Sequence, residues 1–414
     1  MTTITSDTPL ECVPVDKLGD AQQNPYARVI AKMAKQHRLL SVQWELTYRC
    51  NEQCTHCYLD VFKPNERVAG ELSTEQIKRA LDEIAAAGAL NLTFSGGEIF
   101  VRRDFFEIAE YARRKRFAVR LMSNGLLITP EVADRIAALK PTGMEISLYA
   151  ADPETHDRIT QRRRLWELTT RAIRLLRERG IHVLIKTPLM RETVRQLPAM
   201  RELAQSLDAA FRYDVMITAK DNGGQNPLRH RLTHDDLVWL YRQETPFGDE
   251  PLKPIGADDR SCSIGLHSLV IDPYGNVFPC LQTRIAAGNI LVEPLKEIWQ
   301  SVIFRETSQL TFGALPVCRA CELNAICHRC HANALVETGS LYMPAAANCR
   351  EALARRKVMI EKGILPSDYP IPVHLRDEFA PMSVSDVGIA ANERSSFIPL
   401  DALTFNRRAA EVVI

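Results

Sequence analysis

Cys50-Asn51-Glu52-Gln53-Cys54-Thr55-His56-Cys57 sets three thiols at C-x3-C-x2-C spacing, directly after Val42-Gln43-Trp44-Glu45-Leu46-Thr47-Tyr48. Val42, Trp44 and Leu46 alternate with polar residues, the period of a half-buried strand. The thiols therefore fall in a loop just past the end of a first strand. Three thiolates can hold three corners of a [4Fe–4S] cube, because thiolate is the preferred ligand of iron–sulfur iron. One iron is then left without a protein ligand, and an open coordination position is what separates a catalytic metal site from a structural one. A zinc site with His56 as fourth ligand is the alternative reading of the same residues.

Outward from this loop, strand and helix signals alternate from residue 41 to about 217. Ser73 and Gln76 form a capping box before the apolar stripe Ile77, Leu81, Ile84. A strand from Ala89 to Phe94 runs into Ser95-Gly96-Gly97-Glu98, and Asp104 is placed to cap the next helix. The strand Phe117 to Met122 ends in Ser123-Asn124-Gly125. Thr129-Pro130 and Asp152-Pro153 are each a cap followed by proline in the first helical turn, on either side of a strand from Met144 to Tyr149. Trp166 to Leu176 marks another helix. Strands at His182 to Lys186 and Phe211 to Ile217 flank a helix from about Arg191 to Leu207. Six β–α units in a row imply a parallel sheet with helices outside it, curled by right-handed crossovers toward a barrel. Chemistry in such barrels sits at the C-terminal ends of the strands. Cys50 to Cys57, Gly96 to Glu98, Asn124 and Ser147 all lie there.

A second array follows a Gly-, Asn- and Pro-rich linker with one helix from His234 to Arg242. Cys262, Cys280, Cys318, Cys321, Cys327, Cys330 and Cys349 are seven thiols, four of them in the dense run Cys318-x2-Cys321-x5-Cys327-x2-Cys330. Ser268 to Ile271 and Asn276 to Pro279 read as a hairpin around Asp272-Pro273-Tyr274-Gly275 that delivers Cys280. A pair of zinc ribbons is the alternative for these cysteines. A short helix, Glu351 to Glu361, and a Pro-containing tail from Ile364 close the chain.

The chain has 414 residues, 46% hydrophobic and 25% charged, which suits a soluble globular protein of two or three domains. Fifty-two basic against 51 acidic residues, a net charge of +1, give no electrostatic case for nucleic acid or an anionic membrane. No apolar run approaches the roughly 20 residues of a membrane span. Asp7 and Glu11 interrupt what would be a secretory signal. Eleven cysteines, grouped rather than scattered, point to metal ligation in a reducing cytoplasm. Cys12 stands alone as an incidental thiol.

The first thiol loop, its place after a first strand and the Gly96-Gly97-Glu98 stretch after the second together resemble the radical S-adenosylmethionine (SAM) superfamily. The second array resembles the SPASM extension of its peptide-modifying members: Gly275 five residues before Cys280, then Gly288-Asn289-Ile290, Ile298-Trp299, the cysteine cluster and the lone Cys349. The fold implied is α/β, a partial (β/α)6 TIM-like barrel with a C-terminal cysteine-rich iron–sulfur domain. Its expected divisions are an N-terminal extension (1–40), the barrel (41–218), a linker or lid segment (219–259), the auxiliary-cluster domain (260–350) and a C-terminal helix and tail (351–414).

The resemblance implies that Cys50, Cys54 and Cys57 hold the cluster that binds SAM. Gly96, Gly97 and Glu98 would meet its methionine ammonium, and Asn124 and Ser147 its carboxylate or ribose. Cys318, Cys321, Cys327 and Cys349 would fill one auxiliary [4Fe–4S] cluster, and Cys262, Cys280 and Cys330 a second with only three thiolates. The chain departs from the family pattern in several places. Ile99 stands for a usual proline, Tyr149 for a frequent aspartate, and Gln161 with Arg162 to Arg164 for a glycine-containing loop. Cys327 and Cys330 are separated by two residues rather than three.

The implied activity is reductive cleavage of SAM to a 5′-deoxyadenosyl radical and oxidative modification of a peptide or protein. It would draw on an electron donor such as flavodoxin or ferredoxin and on a separate small leader-recognition protein. A small-molecule substrate such as a tetrapyrrole is the enzymatic alternative. A non-catalytic electron-transfer or zinc-scaffold protein is the alternative of another class. No general acid or base is marked by the pattern.

Overall fold

A computed structural model describes residues 25–244, 252 and 255–375. Asp7, Glu11 and Cys12 and the tail beyond residue 375 lie outside these. Strands and helices follow one another as the periodicity predicts. The order is α1 (Pro25–Lys35), β1 (Ser41–Glu45), α2 (Thr74–Ala86), β2 (Asn91–Ser95), α3 (Phe105–Arg114), β3 (Ala118–Ser123), α4 (Pro130–Leu139) and β4 (Gly143–Ser147). Then come α5 (Pro153–Thr160), α6 (Leu165–Glu178), β5 (Val183–Pro188), α7 (Leu197–Ser206), β6 (Ala210–Asp214) and α8 (His234–Gln243). The C-terminal part holds β7 (Ser268–Ile271), β8 (Asn276–Phe278), β9 (Gly288–Asn289), α9 (Leu295–Trp299), α10 (Val302–Thr307), α11 (His331–Thr338) and α12 (Ala346–Glu361).

β1 to β6 pair in sequence order and in parallel, as six β–α units require. Strand side chains such as Trp44, Phe94, Leu121, Ile146 and Ile185 are fully buried among the apolar faces of the surrounding helices. Each such side chain contributes about 1.5–3 kcal/mol relative to exposure. The local signals behave as their chemistry dictates. Ser73 Oγ accepts from Gln76 N while Gln76 Oε1 accepts from Ser73 N at 2.8 Å, and Thr129 and Asp152 cap helices whose first turn carries proline.

Three readings change. Asp104 precedes α3 but makes no side-chain cap, because its carboxylate is taken by Arg102 Nη2 at 2.7 Å and by the Thr74 hydroxyl at 2.6 Å. The helix expected from Arg191 begins instead as one tight 3-10 turn, Val194–Gln196, and turns α-helical at Leu197, where Pro198 suits the first turn. The closing helix starts at Ala346, five residues earlier than read, and so carries Cys349 in its first turn.

The largest addition is at the sheet's other edge. β7 lies parallel to β1, with Ser41 opposite Ser268 and Trp44 opposite Ile271, and β8 and β9 continue antiparallel. One nine-stranded sheet, ordered β6-β5-β4-β3-β2-β1-β7-β8-β9, therefore joins both thiol arrays. No helix among the described residues is long and apolar enough to cross a membrane.

Candidate iron–sulfur and SAM site

Backbone hydrogen bonds fix the first thiol loop to the strand ends. Cys50 N donates to Phe62 O at 2.9 Å, and Phe62 N to Tyr48 O at 2.9 Å. Gly97 N donates to Thr47 O at 2.8 Å and Glu98 N to Arg49 O at 2.9 Å. The need for two glycines lies in this docking. A Cβ on Gly96 would stand 2.4 Å from Thr47 O, and one on Gly97 2.4 Å from Arg49 O and 3.1 Å from Cys50 Cβ. The strand-two loop thus lies flat against the thiol loop because nothing projects between them.

Glu98 is fully buried and ties the second strand end to the third. Its Oε1 accepts from Phe100 N at 3.1 Å, its Oε2 from Asn124 N at 2.9 Å, and Ser123 Oγ lies 3.0 Å from both. Burial pushes its carboxyl up to about 7 against the pull of these donors. Asn124 in turn donates from Nδ2 to Asn51 Oδ1 at 2.7 Å, with Cys50 Sγ 4.0 Å away. Ser147 ends β4 opposite Lys186, partly exposed on the same rim. Gly97 and Asn124 are therefore brought against Cys50, Gly96 against Thr47 and Glu98 against the third strand end, while Ser147 stands further round the rim.

Cys50, Cys54 and Cys57 are half-buried and unbridged. Burial pushes all three thiols up, Cys57 to about 11, and Glu52 raises Cys50 and Cys54 further. Cys54 Sγ lies 3.1 Å from Glu52 Oε2 and 3.7 Å from the Tyr149 hydroxyl. The Tyr149 ring stands between His56, edge-on at 4.5 Å, and His156, stacked at 5.4 Å. His156 Nδ1 accepts from Tyr149 N at 3.2 Å. Burial holds His56 down at about 3 and His156 at about 4, so both rings are neutral walls behind Cys54.

Two further segments brace the loop. Arg162 Nη1 donates to Asn51 O at 2.8 Å. Asp221, in the segment expected as a linker or lid, accepts from Asp60 N at 2.9 Å and donates its own N–H to Tyr58 O at 2.7 Å.

Sequence reasoning missed the joint between the two arrays. Glu45 is fully buried and grips Arg284 bidentately, both bonds at 2.9 Å, while accepting from Tyr58 at 2.7 Å and Tyr48 at 3.0 Å. Nothing local marks Glu45, because it occupies an ordinary strand position and its partner lies 239 residues on.

The seven later thiols fall into two sets. Burial raises Cys262 to about 11 and Cys330 to about 12, and Cys280 adds to both. Burial likewise raises Cys327, with Cys349 and Cys318 adding to it, and lifts Cys349 to about 12 with Cys318 and Cys321 adding. So Cys262, Cys280 and Cys330 face one another, and Cys318, Cys321, Cys327 and Cys349 form the other group. Gln282 Oε1 lies 3.8 Å from Cys330 Sγ beside the smaller set.

Iron–sulfur clusters suit this donor chemistry. Buried thiols are deprotonated by the metal they bind. Among the described residues no three Cys, His, Asp or Glu side chains converge tightly enough for a single ion. A cube takes each thiolate on a different iron.

An unbridged thiol triad on the rim of a six-unit parallel barrel, followed by a seven-thiol array on the same sheet, is a donor set for iron–sulfur clusters. Residues 44–204 match the radical SAM superfamily, and residues 262–331 match the SPASM iron–sulfur cluster-binding domain. The chain is 32% identical over 286 residues to the mycofactocin maturase MftC of Mycobacterium tuberculosis, a match covering 64% of this chain and 72% of that one. It therefore belongs to the radical SAM superfamily with a SPASM domain, and its cofactors are [4Fe–4S] clusters and SAM. It is also 28% identical over 326 residues to the AdoMet-dependent heme synthase of Methanosarcina barkeri, covering 72% of this chain and 93% of that one. The crystal structure of Streptococcus suis SuiB bound to precursor peptide SuiA shares its fold, with a TM-score of 0.60 at 17% identity over 80% of this chain and 83% of that one.

Proposed function

We propose that this enzyme oxidatively modifies a side chain of a ribosomally made peptide in the cytoplasm. Its partners would be a separate small leader-recognition protein and a flavodoxin- or ferredoxin-type electron donor. The likeness to MftC carries this reading, since it reaches 32% identity over 286 residues, where SuiB, a peptide-bound relative in fold, is alike only in shape. When bound, the first cluster and SAM supply a 5′-deoxyadenosyl radical that takes hydrogen from the substrate.

The chain's own residues would supply position and enclosure. Cys50, Cys54 and Cys57 would hold the cluster with one iron open. The flat backbone at Gly96-Gly97 and the Glu98 strut would present the second-strand rim to the methionine end of SAM. Asn124 would hold the third-strand rim against the thiol loop, and Ser147 would face the nucleoside from the fourth. Tyr149, His56 and His156 would keep water from Cys54. Cys318, Cys321, Cys327 and Cys349, with Cys262, Cys280 and Cys330, would hold two auxiliary clusters.

Anaerobic reconstitution with SAM, dithionite and a candidate peptide tests this reading. The expected result is 5′-deoxyadenosine together with a peptide that has lost hydrogen, read by mass spectrometry. A second reading, a tetrapyrrole substrate, is favoured by the match to nearly the whole heme synthase. The same assay decides between them: oxidation of a porphyrin side chain with no change in any peptide would replace the first reading.

A further inference from the structure

Arg329 lies in Cys327-His328-Arg329-Cys330, between one thiol of each auxiliary set, and is 3% exposed. Its Nη2 donates to the carbonyls of Leu341 at 2.7 Å and Met343 at 3.0 Å, and its Nη1 to His331 Nδ1 at 2.5 Å. Its Nε is buried without a partner among the described residues. Every one of these partners is neutral. A buried guanidinium needs a negative charge, because neutral dipoles do not offset its desolvation. The groups it acts on are Cys262 of the three-thiol set and Cys349 of the four-thiol set. The carboxylate facing Cys349, Glu337, is already paired with Arg231. Arg260, half-buried, adds positive charge on the Cys262 side.

The hydrogen-bond polarity around His331 leads to the same thiol. A guanidinium only donates, so His331 Nδ1 accepts and carries no proton. The Leu341 carbonyl near that nitrogen is already engaged by Arg329 Nη2. His331 Nε2–H then donates to Ser261 Oγ at 3.0 Å. The Ser261 hydroxyl is left to donate, and hydrogen bonding from Ser261 favours the thiolate of its neighbour Cys262. A directed chain therefore runs Arg329, His331, Ser261, Cys262.

We infer that Arg329 is the shared counter-charge of the two auxiliary clusters, and that through His331 and Ser261 it raises the reduction potential of the three-thiolate one. Positive charge and hydrogen bonds to cluster sulfurs both favour the reduced state. The auxiliary clusters are thereby poised to accept electrons, where the first cluster, beside Glu52, is poised to give them. Arg329 is a positioning residue, acting on the clusters rather than on substrate. The inference rests on the reading that both later thiol sets bind iron–sulfur clusters.

The test is an anaerobic redox titration followed by electron paramagnetic resonance, on the full chain and its Arg329→Met, Arg329→Lys and Ser261→Ala variants, with iron and sulfide measured on each. Arg329→Met should move both auxiliary midpoints negative, with at least a tenfold fall in the reduced-to-oxidised ratio at fixed poise, which is about 59 mV for one electron. Arg329→Lys should recover part of the shift. Ser261→Ala should move only the three-thiolate cluster. If Arg329→Met loses its clusters, Ser261→Ala and Arg329→Lys decide. Full iron and sulfide with unmoved midpoints overturns the inference. Absence of auxiliary iron from the unaltered protein overturns instead the reading beneath it.

Discussion

The two thiol regions sit on one sheet, yet they are built in opposite ways. The first is held by backbone: strand ends, the flat Gly96-Gly97 contact and a ladder of main-chain bonds fix Cys50 to Cys57. The ionisable groups around it include the buried carboxyls Glu52 and Glu98, with Arg162 bonded to the same loop. The second is held by side chains, among short 3-10 turns at Cys318–Ala320 and Asn324–Ile326, and its buried charges include the guanidinium groups of Arg329 and Arg355. Arg355 bonds the Ile326 carbonyl next to Cys327 while paired with Glu351. A rigid backbone frame suits a reducing centre that must hold SAM in one geometry. A side-chain frame with cations suits electron acceptance.

The sharpest separation of the two regions comes from removing a thiol in each. Cys54→Ala should abolish 5′-deoxyadenosine formation. Cys330→Ala should leave SAM cleavage within about tenfold while product formation is lost, since uncoupled cleavage needs only the first site. Chromatographic assay of both products checks this.

The joint between the regions comes next. Arg284→Met leaves Glu45 buried and unpaired, and breaking such a pair costs about 3–5 kcal/mol. Chemical unfolding of the anaerobic protein should show that loss. The double change Glu45→Gln with Arg284→Met should recover part of it.

Glu98 gives the first region a pH signature of the opposite sign to a salt bridge. Its folded-state carboxyl, at about 7, lies above the ordinary range, so the folded chain holds a proton that the unfolded chain releases. Its contribution is thus present below about pH 4.5 and lost as the pH rises toward 7, by up to about 3 kcal/mol. Unfolding at pH 5 and pH 7 should show the fall, and Glu98→Gln should reduce the slope, leaving the parts due to Glu52 and Asp272, which burial also raises.

The smallest effect falls on the backbone contact. Gly97→Ala forces a methyl against the Arg49 carbonyl and should cost about 1–3 kcal/mol. It should also weaken SAM binding, measured by equilibrium dialysis.

What the sequence made legible follows the same divide. The barrel, its caps and the rim placement of Cys50, Gly96, Glu98 and Asn124 could be read because each rests on contacts near in the chain. The pairing of β7 with β1 could not, since a parallel partner more than 200 residues away leaves no local mark. Glu45 with Arg284 was hidden for the same reason. Asp104 was misread because an ion pair with Arg102 outcompetes a cap. The early start of α12 was missed because Ala345 offers no capping side chain. The close approach of the two glycines to the thiol loop was hidden as well, since Thr47 and Arg49, which an added Cβ would meet, lie about fifty residues away.

One spectrum addresses the proposed open iron directly: electron paramagnetic resonance of the anaerobically reduced protein with all seven later cysteines, Cys262, Cys280, Cys318, Cys321, Cys327, Cys330 and Cys349, replaced by alanine, recorded before and after SAM. A [4Fe–4S] signal whose g-values shift when SAM is added is the expected result. Zinc in place of iron, or a cluster signal indifferent to SAM, would contradict it.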